Sequence, residues 1–267
     1  MIWLKRIGLG IAGTAALLVV FIGGVMVYDL NAGPQTADNS NTRYIGGEGI
    51  ERLGYLTTPD GPGRYPAILL LHEWWGLNEE MTILADALAA EGYVVFAPDV
   101  YRGRLATTVP GALYLRLGTP GEQVSADVDA ALAYLRGLEN VEPSQIASLG
   151  FCFGGGNALQ LALRQPQNLA GTIIYYGSVE TDVEVVRSLA NQHPVLGIFG
   201  EADSSIPVAE VRAFEAALNS LNIPNEIVIY PGEGHAFLNE HNYNRPGTAA
   251  ADAWQRTLTF LAETLRP

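Results

Sequence analysis

Short apolar runs alternate with longer amphipathic segments from about residue 43 to residue 265. The short runs are rich in valine, isoleucine and leucine, as is typical of strands covered on both faces. They predict strands at residues 49–57, 66–71, 93–97, 145–149, 171–176, 195–199 and 226–230. The amphipathic segments predict helices at residues 79–91, 122–138, 153–164, 182–191, 208–221 and 249–265. This alternation predicts an α/β fold with a mostly parallel central sheet and helices on both faces.

Residues 7–28 are an apolar run without any charged side chain. As a helix, this run is long enough to cross about 30 Å of hydrocarbon. A cleaved secretory signal is the alternative, but signal peptides have apolar cores of about 7 to 15 residues and end in a small-x-small site, which residues 30–32 match poorly. Lys5 and Arg6 before the run and Asp29 after it favour a cytoplasmic N-terminus. We therefore predict a transmembrane signal anchor and an extracytoplasmic domain, with secretion after cleavage as the alternative.

The predicted anchor divides the chain into a cytoplasmic end at residues 1–6, the span, a polar linker at residues 29–42, and one domain at residues 43–267. The linker is rich in turn formers and predicts a flexible tether. The formal net charge of −13 argues against nucleic acid or anionic lipid as a partner, because both select for basic surfaces. We expect a monomer that contacts the membrane through its N-terminal helix.

The lone cysteine, Cys152, stands where the strand predicted at 145–149 turns into the next helix. Gly150, Gly154 and Gly155 flank it, and small neighbours allow the tight turn that projects a nucleophile outward. A thiol at a helix N-terminus feels the helix dipole, which predicts a lowered pKa and more thiolate. A buried structural cysteine is the alternative. The glycine pattern favours a catalytic nucleophile.

Two later loops supply the partners that a nucleophilic cysteine needs. Asp203 follows the strand predicted at 195–199, and His235 lies between glycine and alanine after the strand predicted at 226–230. The order Cys152, Asp203, His235 is nucleophile, acid, histidine, as in α/β-hydrolases. The alternatives are a turn role for Asp203, with Glu201 as the competing acid, and an ordinary loop role for His235. Each residue follows a predicted strand, so we expect all three at one edge of the sheet.

A third polar loop follows the strand predicted at 66–71 and contains His72, Glu73, Trp74 and Trp75. A zinc-protease motif is excluded, because no second histidine follows His72 at the required spacing. Glu73 is instead a candidate to contact the thiol. The backbone N–H groups of Phe153 and Trp74 are the candidate oxyanion donors, with packing as the alternative role for the tryptophans.

Together these residues resemble the dienelactone hydrolase family of α/β-hydrolases, over residues 45–265. The resemblance implies an α/β-hydrolase fold, a Cys-His-Asp triad, a Glu73 that contacts the resting thiol and helps to form thiolate when substrate arrives, and no metal or organic cofactor. The matching motifs are His72-Glu73-x-x-Gly76, Pro98-Asp99-x-Tyr101, Gly150-Phe151-Cys152-Phe153-Gly154-Gly155, Gly200-Glu201-x-Asp203-x-x-Ile206-Pro207 and Gly234-His235-x-Phe237.

One departure from the family bears on the substrate. Family members that open dienelactone place an arginine shortly after the catalytic histidine to hold the substrate carboxylate, whereas residues 236–239 contain none. This difference argues against dienelactone itself as the natural substrate. We expect the irregular segment at residues 101–121 to form a pocket wall, with Tyr101, Arg102 and Phe237 as candidate pocket residues.

These features predict a hydrolase that cleaves a small-molecule ester or lactone through a thioester acyl-enzyme. Two alternatives stay open at this point. One is a membrane-tethered binding or scaffold protein that has the same fold and no turnover. The other is a thiol redox sensor, which the absence of a second cysteine disfavours.

Overall fold

The computed structural model describes residues 20, 22–25, 27–29, 33–189 and 193–265. Their strands form one sheet in the order β1-β2-β4-β3-β5-β6-β7-β8. The first two strands are antiparallel to their neighbours, and the six from β4 to β8 in this order run parallel to one another. The strands are β1 Thr42–Ile45, β2 Glu51–Thr57, β3 Tyr65–Leu71, β4 Val94–Pro98, β5 Val141–Phe151, β6 Gly171–Tyr175, β7 Val195–Gly200 and β8 Asn225–Tyr230.

Helices cover both faces of the sheet, as predicted. Neighbouring side chains along a strand point to opposite faces, so Leu69 joins one buried cluster and Leu70 the other. The helices are α1 Glu79–Ala90, α2 Val109–Gly118, α3 Gly121–Arg136, α4 Phe153–Arg164, α5 Val183–Val186, α6 Val208–Ser220 and α7 Ala249–Leu265. The first cluster contains residues of α2, α3, α4, α5 and α6, and the second contains residues of α1 and α7.

Four predicted segments differ clearly from the structure. The strand predicted at 145–149 is longer, since β5 runs from Val141 to Phe151. The strand predicted at 49–57 begins only at Glu51, and the predictions did not include β1, a short edge strand that pairs with it. The segment predicted as irregular at 101–121 contains the helix α2. The helix predicted at 182–191 is shorter: α5 ends at Val186, a 3-10 turn follows to Leu189, and residues 190–192 lie outside the described part.

Residues 36–41 of the predicted linker pack against the domain instead of extending away from it. The hydroxyl of Thr36 donates to the carbonyl of Arg104, 3.2 Å away. The side-chain oxygen of Asn41 accepts a 2.8 Å hydrogen bond from the backbone N–H of Leu56. Burial of Thr36 and these contacts make this stretch part of the folded domain.

Most of the membrane span predicted at residues 7–28 falls outside the described residues. Among the residues that are described, the structure contains no helix with the length and apolar character needed to cross a bilayer.

Candidate active site

Cys152 occupies the sharp turn between β5 and α4. Its backbone has a φ of 53°, in the left-handed region that non-glycine residues rarely adopt. The flanking glycines are required by close backbone approach: a side chain at Gly150 would collide with the carbonyl of Gly154, and one at Gly154 would collide with the carbonyl of Leu71. The turn therefore holds the sulfur at the carboxyl edge of the sheet, where a strained nucleophile is expected.

His235 connects Cys152 with Asp203. Its Nε2 lies 3.0 Å from the sulfur of Cys152, and its Nδ1 lies 2.6 Å from Oδ2 of Asp203. The other oxygen of Asp203 accepts backbone hydrogen bonds from Ser205, at 2.7 Å, and from Ile206, at 3.2 Å. An ionised carboxylate accepts only, so Nδ1 carries the proton and Nε2 accepts from the thiol. The three residues thus form a continuous hydrogen-bonded chain.

The loop after β3 is held in place by His72. Its Nδ1–H donates to the carbonyl of Glu73 at 2.6 Å, and its Nε2 accepts from the backbone N–H of Val100 at 3.3 Å. Burial lowers the pKa of His72 to about 4, so the ring is neutral. This side chain orders the backbone that leads to Trp74.

Two backbone N–H groups point at the sulfur of Cys152. They belong to Phe153 and Trp74, and their hydrogen bonds act to lower the pKa of the thiol. Donors aimed at this position are also suitably placed for an oxyanion that forms on a substrate bound at the sulfur.

The thiol of Cys152 is neutral at rest. Burial, followed by the charge of Glu73, raises its pKa to about 12 despite the two N–H donors. The lowered pKa expected from the helix dipole is therefore wrong. Desolvation disfavours the charged form, and here this effect exceeds that of the helix N-terminus. The thiol donates to His235 and ionises only when that proton moves.

Glu73 also titrates far from its usual range. Burial, and next the charge of Glu240, raises the pKa of Glu73 to about 7. The side chain is 7% exposed and lines the cavity beside Cys152. The folded protein therefore binds a proton at Glu73 more tightly than the unfolded chain does, and ionisation of this carboxyl opposes folding.

We expect Glu73→Gln to stabilise the fold in a pH-dependent way. The stability that protonated Glu73 contributes to the fold is fully present below its unfolded pKa of about 4.5. This stability is lost as the pH rises through about 7, the pKa in the folded state. The free energy of unfolding of the variant should therefore exceed that of the parent by about 3 kcal/mol near pH 8 and match it near pH 4. Urea unfolding across this range measures the difference. Glu263→Gln, on an exposed helix face, is the control; a gain independent of pH would contradict the argument.

A cavity of about 430 Å³ opens above the sulfur. Its wall is formed by Glu73, Trp74, Trp75, Arg116, Cys152, Phe153, Tyr176, Ser178, Ser205, Ile206, His235 and Ala236.

The three candidate pocket residues do not line this cavity. Tyr101 is fully buried beneath it. Arg102 turns away, with its Nε 2.8 Å from Oδ2 of buried Asp127. Phe237 lies behind the wall, with its ring centroid 5.8 Å from that of Tyr176 and 5.3 Å from that of Tyr230. The ion pair of Arg102 and the aromatic packing of Tyr101 and Phe237 depend on distant residues, so these contacts could not be read from positions in the chain.

Tyr176 is the main wall residue that the sequence did not indicate. The ring centroid of Tyr176 lies 5.2 Å from that of His235, and its hydroxyl donates to the carbonyl of Leu238 at 3.1 Å. Tyr176 directly follows the carboxyl end of β6, and this strand-end position was the sequence signal that could have identified it as a cavity residue. Arg116 belongs to the segment at residues 101–121 that was expected to form a pocket wall, although the helix α2 that carries it was not predicted.

Arg116 is the cationic side chain of the cavity wall. Its guanidinium carbon lies 4.9 Å from the ring centroid of Phe153. Among the described residues it has no ion-pair partner. A cation held on an aromatic face favours a substrate with negative charge near the reacting carbonyl.

We expect Arg116→Met to raise KM about tenfold for an ester that carries a carboxylate, such as a hemisuccinate, because the charge-assisted contact is lost. The KM for the matched neutral methyl ester should stay within about twofold, since methionine preserves the apolar stem. Steady-state kinetics on the two esters measures the difference. Arg245→Met, at an exposed arginine outside the cavity wall, should change neither value. Equal losses on both esters would contradict a charge-specific role.

A metal centre has no support in the described ranges, which contain no cluster of three His, Cys, Asp or Glu side chains able to hold an ion. His72 uses both ring nitrogens within the protein.

Comparison with known proteins gives a consistent picture. The dienelactone hydrolase family model matches residues 53–265. A protein from Synechocystis sp., provisionally named a carboxymethylenebutenolidase, is 28% identical over 235 residues, covering 83% of this chain and 96% of its own. The crystal structure of a provisionally named dienelactone hydrolase from Klebsiella pneumoniae is 28% identical with a TM-score of 0.70, covering 83% of this chain and 98% of its own.

A more distant structure shares the fold. It is the dienelactone hydrolase-like promiscuous phosphotriesterase P91 from metagenomic libraries, with 19% identity and a TM-score of 0.71, covering 84% of this chain and 97% of its own. The family match extends over most of the folded domain and includes the turn of Cys152 and the loops of Asp203 and His235. The chain is therefore a dienelactone hydrolase-like hydrolase and belongs to the dienelactone hydrolase family.

Proposed function

We propose that this hydrolase cleaves a carboxylic ester or lactone through a thioester acyl-enzyme. Cys152 is the nucleophile, His235 is the base and then the acid, and Asp203 orients His235. The observation that supports this most directly is the position of His235, within hydrogen-bond reach of both the sulfur and the carboxylate.

In the first half-reaction the thiol proton moves to Nε2 of His235 while the sulfur attacks the carbonyl carbon. The carbonyl oxygen takes up the electron pair and accepts hydrogen bonds from the N–H groups of Phe153 and Trp74. Collapse of this intermediate breaks the carbon–oxygen bond. The departing alkoxide takes the proton from His235 and leaves the acyl group on Cys152.

Water completes the cycle. His235 removes a proton from water, the hydroxide attacks the thioester carbonyl, and the carbon–sulfur bond breaks. The proton returns from His235 to the sulfur, and a carboxylic acid is released. Asp203 stabilises the imidazolium that forms in both halves of the cycle.

Burial keeps the thiol protonated until substrate binds, and ionised Glu73 adds to this effect. Its charge contributes to the high pKa of Cys152, so the resting sulfur is protected from side reactions. The same property argues against a thiol redox sensor, since oxidation requires thiolate.

Trapping of the acyl-enzyme tests this proposal. The full chain is mixed with p-nitrophenyl esters and simple lactones, quenched in acid during a single turnover, and digested for mass spectrometry. We expect the acyl mass on the peptide that contains Cys152, and none on protein alkylated beforehand at that residue. Full turnover without an adduct contradicts the thioester. Binding without turnover of any substrate favours the scaffold alternative.

We further propose that the apolar run at residues 7–28 anchors the protein in a membrane, with the hydrolase domain on the extracytoplasmic side. Lys5 and Arg6 before the run support this orientation.

A further inference from the structure

One face of α2 is apolar and exposed. Val109, Leu113 and Leu117 follow one another at intervals of four residues and are 57%, 47% and 74% exposed. Residues four apart lie on the same side of a helix, so these side chains form one stripe, which Tyr114 widens. The opposite side of α2 packs into the domain through residues that include Leu115. A contiguous exposed stripe of this kind indicates an interaction surface.

The chain enters the domain beside this stripe. Asp29 is 1% exposed, and its two carboxylate oxygens accept hydrogen bonds from the backbone N–H and hydroxyl groups of Thr107 and Thr108, at 2.5 to 3.1 Å. Thr108 is the N-cap of α2. A side chain at Gly111 would collide with the Asp29 carboxylate. These contacts attach residue 29 to the first turn of α2.

This attachment places the end of the apolar run at α2, because the run at residues 7–28 ends one residue before Asp29. Val20 and Tyr28, within the run, are 71% and 68% exposed and so contribute little to the domain core. Any bilayer that the run enters therefore meets the domain where α2 begins.

The charge of α2 suits a lipid surface. The chain carries 28 acidic and 15 basic residues, yet α2 has no acidic residue and one basic residue, Arg116. An apolar stripe without carboxylates can enter the membrane interface without burying a negative charge, and Arg116 beside it can contact lipid phosphates.

We propose that α2 docks on the bilayer that residues 7–28 enter, with its Val109–Leu113–Leu117 stripe among the lipid headgroups. This inference rests on the proposed membrane anchor and goes beyond the hydrolase activity. Arg116 belongs to the same helix and to the wall of the cavity above Cys152. Docking therefore brings the cavity mouth to the membrane surface, and the substrate class is esters or lactones dissolved in the bilayer.

Spin labelling of the full chain in phosphatidylcholine nanodiscs tests the docking. Cys152 is the single cysteine, so Cys152→Ala provides the background for Leu117→Cys and for the control Val185→Cys on α5, which is 43% exposed in the parent. We expect the label at 117 to collide more with oxygen than with nickel-EDDA, and the label at 185 to show the reverse, since oxygen concentrates in lipid.

Two results overturn the docking while the chain remains in the discs. If nickel-EDDA reaches the label at residue 117 as readily as the label at residue 185, the stripe lies in water. Exclusion of both reagents from 117 means that protein covers the stripe, either the N-terminal segment or a second copy. If the chain elutes separately from the nanodiscs, the proposed membrane anchor is contradicted, and so is the docking of α2 that rests on it. Acyl-enzyme trapping stays independent of all three results.

A kinetic comparison tests the consequence for substrate. We expect Leu113→Ser combined with Leu117→Ser to lower hydrolysis of a vesicle-borne ester at least about fivefold, with hydrolysis of a water-soluble ester unchanged. Val185→Ser should leave both rates unchanged. Equal losses on the two substrates, or no loss on either, would overturn delivery of substrate from the bilayer.

Discussion

The Cys152→Ala variant is expected to lower kcat/KM for ester hydrolysis by at least about 10⁴-fold, because Cys152 is the cavity side chain that the structure places within hydrogen-bond reach of Nε2 of His235. Alanine preserves the backbone and most of the packing at a position whose φ of 53° already tolerates a β-carbon. The loss should therefore appear in kcat without a matching loss of stability. Steady-state kinetics on a p-nitrophenyl ester, together with thermal unfolding, measures both quantities.

Binding separates this result from a collapse of the site. The Cys152→Ala variant should still bind a substrate analogue with a Kd within about threefold of the parent, since the cavity wall is otherwise unchanged. Retention of more than about a tenth of the parental kcat/KM would show that Cys152 is not the nucleophile. The N–H groups of Phe153 and Trp74 would then stabilise an oxyanion formed by attack of a nucleophile other than the thiol.

The Asp203→Asn variant is expected to lower kcat by about 10³ to 10⁴-fold. The asparagine oxygen can still accept from the N–H groups of Ser205 and Ile206, so the loop keeps its shape. The amide NH₂ then faces Nδ1 of His235 and favours the tautomer with the proton on Nε2. That tautomer cannot accept the proton of Cys152, 3.0 Å away. Pre-steady-state measurement of acyl-enzyme formation reports this step.

Glu201→Gln is the matched control for Asp203→Asn. Glu201 lies two residues away in the same loop, is exposed, and accepts a 3.0 Å hydrogen bond from the backbone N–H of Gly232. It does not contact His235, so kcat should change by less than about twofold. A larger loss from Glu201→Gln than from Asp203→Asn would reverse the assignment of the acid.

The order of elements and the arrangement of the three strand-end residues were predictable from local sequence. Parallel strands place their carboxyl ends at one edge of a sheet, so Cys152, Asp203 and His235 had to converge once each strand was identified. The structure brings these three together, while their roles in catalysis stay predictions. Ends of helices such as α4 and α7 were predicted because their apolar residues repeat at helical spacing.

Elements that depend on distant contacts were not predictable. The helix α2 contains Gly111 and Gly118, which have low helical propensity, and it is held by Asp29 from far earlier in the chain. The strand β1 is short and at the sheet edge, and its pairing with β2 identifies it as a strand. Neither carries a strong periodic signal of its own.

The sequence by itself determined the fold class, the turn of Cys152 and the order of the candidate site residues, because short-range glycine patterns and strand-end positions encode them. Only the tertiary structure decided the protonation of the thiol and the composition of the cavity wall. Burial and the charge of Glu73 raise the pKa of Cys152, and α2 brings Arg116 into the wall. Desolvation and long-range packing are properties of the folded chain, since they depend on residues that meet only after folding.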